Sequence, residues 1–326
     1  MCRLSIICCT YNQIDYIAKC LDSLVSQETN FPYRIIVHDD ASTDGTSSIV
    51  ESYAERYPDL IVPVLQKQNK YSRGEPIFPY IDPHLEGDYV AICEGDDWWV
   101  DQCKLQSQFD YMESHPDCSL CVHDSYIYED SLKAYVGRSP ASGVERDLSV
   151  EELIEGGGWY VSTNSFFYRS KFHTLPNSYR GWGVGDYPRM IHLALSGSVH
   201  FLSEPMSAYR SNAAGSWSRA MRTNAQLKRE ANQKIIGGLK RVDAETNYAY
   251  HDSIEVALFK LEKQICELNR DLIMFLGRDK SRLFREMSTV DKAISIARCI
   301  VPLRLMVIVS RMRMKIKALN FDGRTQ

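Results

Sequence analysis

Three short apolar runs, each ending in a polar or acidic cluster and followed by a helical pattern, constrain this chain more than any other feature. Leu4-Ser5-Ile6-Ile7-Cys8-Cys9 runs into Thr10-Tyr11-Asn12. Arg34-Ile35-Ile36-Val37-His38 runs into Asp39-Asp40-Ala41-Ser42-Thr43-Asp44-Gly45, and Tyr89-Val90-Ala91-Ile92-Cys93 into Glu94-Gly95-Asp96-Asp97. A run so short and so apolar fits a strand covered on both faces, as in a parallel sheet. Ile14, Ile17, Leu21, Leu24 and Val25 recur at helical spacing, which predicts an amphipathic helix over 13–26. A second helix is expected from Thr46 to just before Pro58, and a third strand over 61–66. This alternation specifies an α/β fold with a mostly parallel central sheet and right-handed crossovers.

Further along, 69–84 is rich in Gly, Pro and aromatic residues and reads as loop. Helices are expected over 102–113, 151–155 and 187–196, and strands over 119–128 and 166–168. After Ser218 strand-like runs become scarce, so 1–218 reads as an α/β domain and 219–326 as a helical extension. Lys292 to Lys317 carries seven basic residues, no acid and interleaved Ile, Leu, Val and Met. Such a tail either lies on an anionic membrane surface or packs its apolar face on the protein, and Pro302 should break or kink it.

The charge sum, 38 Lys and Arg against 42 Asp and Glu, gives -4 and argues against a nucleic-acid partner. No run of about 18 apolar residues suggests a spanning helix, and Leu4–Cys9 is too short for a signal peptide. The ten cysteines show no repeated spacing and only one CxxC, Cys118 to Cys121. They read as small buried apolar side chains in a reducing cytoplasm.

In open α/β sheets ligands bind outside the carboxyl ends of the strands, where the three clusters fall. No GxGxxG or GxxxxGK[ST] loop is present, which disfavours dinucleotide and P-loop sites. Phosphate must then be neutralised otherwise, and a divalent cation held by carboxylates is one solution. Glu94 and Asp96 flank a glycine and could approach one ion. The plainer alternative is that Asp39, Asp40, Asp96 and Asp97 cap the helices that follow.

Together Cys9-Thr10-Tyr11-Asn12, Val37 to Thr46 and Cys93-Glu94-Gly95-Asp96-Asp97 resemble the three successive signatures of family 2 glycosyltransferases, from residue 3 to about 218. Glu94 to Gln108, Met206-Ser207-Ala208-Tyr209-Arg210 and Gly215-Ser216-Trp217-Ser218 resemble bacterial members that build lipopolysaccharide or capsular polysaccharide. The resemblance implies a GT-A fold, a nucleotide-sugar donor (a UDP-sugar favoured), Mn²⁺ or Mg²⁺, and inverting transfer to a saccharide or lipid-linked saccharide. It places Thr10, Tyr11, Asn12, Asp40, Arg73, Glu94, Gly95 and Asp96 at the donor, with Asp96 on the metal. Asp186, in Gly185-Asp186-Tyr187-Pro188, matches the region that supplies the catalytic base. Asp39, Asp97, Arg210 and Trp217 are secondary candidates, Arg210 through pairing with the diphosphate. Where relatives carry a His after this arginine, Asn212 stands here, so a third protein ligand to the metal is not expected.

For Trp98 and Trp99 core packing is favoured over sugar stacking. A cytoplasmic enzyme is the expectation, peripheral on the cytoplasmic face of the membrane if the basic tail lies there rather than packing on the protein. Two rivals are a non-catalytic nucleotide-sugar-binding protein with a degenerate GT-A domain and a nucleotidyltransferase. The first would be favoured by loss of Asp96 or Asp186, and the second by a Gly- and basic-rich triphosphate loop; neither feature is found.

Overall fold

The structure, a computed structural model, describes residues 2–277, 284–285, 287–301 and 303–322. It divides into two compact units. One comprises Met1–Ser149, Gly158–Thr174 and His192–Arg219; the other comprises Val150–Gly157, Leu175–Ile191 and Ala220–Gln326.

The first unit is built on a ten-stranded sheet. Its strands are β1 (Leu4–Thr10), β2 (Tyr33–Asp39), β3 (Ile61–Leu65), β4 (Tyr89–Ile92), β5 (Trp98–Trp99), β6 (Cys118–Glu129), β7 (Ala134–Arg138), β8 (Arg146–Leu148), β9 (Phe167–Arg169) and β10 (Ser198–Ser211). The order is β3-β2-β1-β4-β9-β6-β10-β5, with β7 on β6 and β8 on β10. The longest ladders, β1–β2 and β6–β10, are parallel, as are β2–β3 and β1–β4. The antiparallel pairings, among them β4–β9 and β5–β10, are short.

Helices α1 (Ile17–Val25), α2 (Thr46–Arg56), α3 (Phe78–Ile81) and α4 (Lys104–Ser114) fall in this unit. The expected strand–helix alternation is therefore present, and 69–84 is a chain of short helical turns around α3 rather than open loop. Leu4, Ile6, Cys8, Ile17, Leu21, Leu24, Ile35 and Val37 form one buried cluster with Tyr89, Ala91, Leu105 and Phe167. Each such Leu or Ile contributes about 1.5–3 kcal/mol by leaving water. β10 escapes the sequence pattern because Ser203-Glu204-Pro205 interrupts its apolar alternation. The ladder to β6 shifts register on either side of Pro205, which has no N–H to give.

The second unit holds α5 (Val150–Gly156), the start of α6 (Asp186–Ala194), the end of α7 (Trp217–Thr223), α8 (Ala225–Glu245), α9 (His251–Asn269), α10 (Leu272–Gly277), α11 (Thr289–Ile300) and α12 (Leu303–Asp322). Gly238 lies inside α8, where glycine is costly. A Cβ there would collide with the buried Trp182 indole, which donates from Nε1 to the Ser178 carbonyl at 2.9 Å. α11 ends before Pro302 and α12 begins after it, and Pro302 itself lies outside the described residues. Among the described residues no helix is long and apolar enough to cross a membrane. All ten cysteines are free thiols and seven are buried.

Candidate active site

β1 has β2 on one side and β4 on the other, so the sheet changes direction between β1 and β4. A switch of this kind opens a crevice at the carboxyl ends of the two strands. The first and third polar clusters meet there. The Gly95 N–H donates to the Cys9 carbonyl at 2.9 Å, and the Asp40 N–H to the Thr10 carbonyl at 3.0 Å. A Cβ on Gly95 would lie 2.5 Å from Gln13 Oε1 and 2.9 Å from Thr10 Cβ, so only glycine lets the two strand ends close up.

The four aspartates of the two acid pairs do not cap helices: α2 and α4 begin at Gly45 and Cys103 without a side-chain cap. Asp39 is wholly buried and accepts from the Ser42 backbone N–H and from the Ser42 and Ser47 hydroxyls, which shapes the β2–α2 turn. Asp40 accepts the backbone N–H groups of Lys70 (2.7 Å) and Tyr71 (3.0 Å), one on each oxygen. It thereby holds the turn that carries Arg73. That arginine is exposed and pairs with Glu75 at 2.8 Å and Gln68 at 2.6 Å. Asn12 takes a left-handed backbone (φ 50°) and receives the Thr43 N–H at 2.8 Å, joining the first two clusters. Tyr11, Tyr71 and Trp217 are exposed, the last two edge-to-face at 6.4 Å.

The loop after β4 is clamped to β10. The Arg210 backbone N–H donates to Asp97 Oδ1 at 2.7 Å and its Nε to the Asp96 carbonyl at 2.7 Å. Asn164 Nδ2 reaches Asp97 Oδ2 at 2.8 Å, while Asn164 Oδ1 accepts from the Ser207 hydroxyl at 2.7 Å. The Arg210 guanidinium is buried over the rings of Tyr16, Trp98 and Tyr128, at 4.5, 4.7 and 5.3 Å, and pairs with Asp130 at 2.9 Å. The arginine expected to pair with the diphosphate is, in this structure, the clamp of the acidic loop. Trp98 and Trp99 are both buried, as core packing requires.

Burial pushes the Asp96 carboxyl up to about 6, against the pull of its own backbone N–H, of Arg210 and of a bond from Gln13. Burial, then the neighbouring Asp96 and Glu94, hold Asp97 well above the usual carboxylate range. A divalent cation would favour ionised Asp96, and the oxygen chemistry of Asp96 and half-buried Glu94 suits a hard metal. Among the described residues no three His, Cys, Asp or Glu side chains converge to hold an ion. The two carboxylates at hand, Asp96 and Glu94, are the donor set of a metal that takes one or two carboxylates and completes its shell with substrate phosphate and water. Asn212 donates to both oxygens of Glu129 at 2.7 and 2.8 Å.

A glycosyl transferase family 2 model matches residues 5–215. The chain belongs to that family. An uncharacterized protein of Mycobacterium tuberculosis is 37% identical over 220 residues, which is 67% of this chain and 61% of that protein's length. An uncharacterized glycosyltransferase of Nostoc sp. is 26% identical over 267 residues, 76% of this chain and 81% of that one. The crystal structure of S. aureus TarS 1-349 in complex with UDP-GlcNAc superposes with TM-score 0.50 at 18% identity, covering 83% of this chain and 80% of that one. The likeness extends to the fold, so the α/β unit of this family 2 member has the GT-A architecture.

Asp186 lies in the second unit and opens α6. One of its oxygens accepts its helix's Tyr187 N–H at 2.7 Å, and burial pushes its carboxyl up. Sequence reading missed Asn164, which bonds Asp97, and Asp130, which pairs with Arg210; both are brought there only by the fold. The sole local hint was an Asn-Ser pair ahead of the Phe166–Tyr168 run.

Proposed function

We propose that this chain is a metal-dependent, inverting glycosyltransferase. It moves a sugar from a nucleotide-sugar donor, a UDP-sugar favoured, to a glycan or lipid-linked glycan in cell-surface polysaccharide synthesis such as that of lipopolysaccharide. The observation that carries the reading is Asp96: a buried carboxylate at the β1–β4 switch point, beside Glu94, on a loop locked by Arg210 and Asn164. TarS, of the same fold, was solved with UDP-GlcNAc.

In this reading residues 1–218 act as the catalytic domain. Thr10, Tyr11, Asn12 and Asp40 serve the nucleoside, Arg73, Glu94, Gly95 and Asp96 the phosphates and sugar, and Arg210 and Trp217 flank them. Asp39 and Asp97 hold the loops in place. The acceptor oxygen attacks the anomeric carbon from the face opposite the diphosphate. The new C–O bond forms as the old one breaks, and its electron pair leaves on the diphosphate oxygen. Asp186 takes the hydroxyl proton, since an alcohol is a poor nucleophile at neutral pH. Asp96, with Glu94 in support, would hold Mn²⁺ or Mg²⁺, which supplies positive charge against the leaving diphosphate.

Peripheral membrane contact through the basic tail belongs to the same reading. Val309, Met312, Ile316 and Leu319 recur at helical spacing on α12 and are exposed, beside exposed Arg313, Lys315 and Lys317. Co-sedimentation with anionic but not zwitterionic vesicles supports this contact, and no sedimentation with either removes it.

The test of the function is thermal stability against UDP, GDP, dTDP, CDP and ADP, each with and without Mn²⁺. A ligand of the folded state raises the melting temperature by linkage. A metal-requiring shift with one nucleotide supports the reading and names the donor class; no shift with any refutes a preformed donor site.

A further inference from the structure

Trp159 is the most exposed of the five tryptophans, at 55%. Its position is nonetheless set by the fold. The next residue, Tyr160, accepts the Ala141 N–H on its carbonyl at 3.0 Å, and Val161 after it is buried. The indole meets Tyr209 edge-to-face, with ring centres 5.4 Å apart and planes at 84°. Tyr209 precedes Arg210 on β10, the residue that binds Asp96 and Asp97. Side chains alternate along a strand, so while Arg210 enters the cage of Tyr16, Trp98 and Tyr128, Tyr209 lies on the opposite face. The Tyr209 hydroxyl lies within the field of Asp97, Glu94 and Asp96.

Two perpendicular aromatic rings beside a loop of carboxylates make a wall with an apolar surface and an acceptor-rich rim. A pyranose ring has the matching chemistry: apolar C–H faces and hydroxyls around its edge. We propose that Trp159 and Tyr209 form the wall against which a saccharide ring stacks beside the Glu94–Asp97 loop. The inference rests on the transferase reading and deepens it. The ring belongs either to the donor sugar or to the acceptor, which share this chemistry.

The experiment uses the full chain with Mn²⁺ and compares wild type, Trp159→Ala and Trp159→Phe. Calorimetry gives affinities for UDP and UDP-GlcNAc, and for GDP and GDP-mannose; a transfer assay gives the acceptor KM. If the donor sugar stacks, Trp159→Ala weakens the nucleotide sugar roughly tenfold and leaves the free diphosphate within twofold. If the acceptor stacks, nucleotide-sugar affinity is unchanged and the acceptor KM rises roughly tenfold with little change in kcat. In either case Trp159→Phe recovers part of the loss. Nucleotide-sugar affinity and acceptor KM both within twofold of wild type overturn the wall. Loss of free diphosphate binding in Trp159→Ala overturns it too, since the indole would then serve the nucleotide or the fold. A wild-type chain that binds none of the four nucleotides fails the transferase reading itself, and the wall falls with it.

Discussion

Lys104 offers a sharp quantitative test of the packing beneath the acidic loop. It opens α4, is wholly buried, and its Nζ has no hydrogen-bond partner among the described residues. The ammonium lies 3.9 Å from the centre of the Trp99 ring. Burial lowers its pKa from 10.5 to about 7, while Cys93 and Cys121 pull the other way. His123 also faces it, and burial, helped by the lysine charge, keeps that imidazole neutral. The sign follows from proton uptake. Between about 7 and 10.5 the unfolded chain binds the proton that the folded chain has lost, so stability rises with pH across that window. At pH 7 the cost relative to an ordinary lysine is roughly 4 kcal/mol at most, shrinking below about 1 kcal/mol near the unfolded pKa. A desolvated cation over an indole returns about 2 kcal/mol, less than burial removes. Lys104→Met keeps the length and removes the charge. Urea unfolding followed by tryptophan fluorescence should show the variant more stable by several kcal/mol at pH 7 and nearly equal to wild type at pH 10. A variant no more stable at pH 7, or a gain that does not depend on pH, would refute the reasoning.

Asp96→Ala should abolish the Mn²⁺-dependent part of nucleotide binding; equal binding with and without metal in wild type and variant removes the metal role. Asp186→Asn should keep donor affinity and cut turnover about 100-fold or more, the range for a lost general base. Because burial raises the Asp186 pKa, wild-type turnover should fall on acidification at a higher pH than an ordinary carboxylate dictates. A pH–rate profile whose acid limb survives unchanged in the Asn variant moves the base elsewhere. Asn164→Ala strips the Asp97 carboxylate and the Ser207 hydroxyl of a buried partner and should cost about 1–3 kcal/mol in urea unfolding. Gly95→Ala should lower both stability and nucleotide affinity, because its Cβ must force Gln13 and Thr10 aside; wild-type values for both would mean the strand ends can part freely.

Much of the fold was legible because its signals are local. The runs at Leu4, Ile35 and Tyr89 have the length and apolar character of covered strands, and the helical spacing after each fits the parallel pairing of β1 with β2 and β4, though β4 takes the antiparallel β9 on its other edge. The position of the acidic clusters was legible for the same reason: topology puts whatever follows such a strand at the carboxyl-end edge of the sheet. What was not legible is long-range. β10 hid behind Pro205, whose missing N–H is tolerated only because the ladder shifts there. Asn164 is 67 residues from Asp97 and 43 from Ser207, so no window of sequence could join them.

Asp40 and Arg210 show why a motif predicts a place better than a role. Both are buried where the motif puts them, yet each already has protein partners. Asp40 receives one backbone N–H on each oxygen, and Arg210 bonds the Asp96 carbonyl and Asp130. A buried charge left unpaired costs several kcal/mol, so a chain that must fold before meeting substrate has to pair such groups internally. A carboxylate has about four lone-pair sites and a guanidinium five N–H groups, so internal pairing leaves capacity for a ligand while fixing direction. The partners that fix these groups (the Lys70–Tyr71 turn for Asp40, Asp130 and three aromatic rings for Arg210) would therefore share in whatever role the proposed function gives the two side chains. Changing Asp130 should disturb donor affinity as surely as changing Arg210, through the direction in which the guanidinium points.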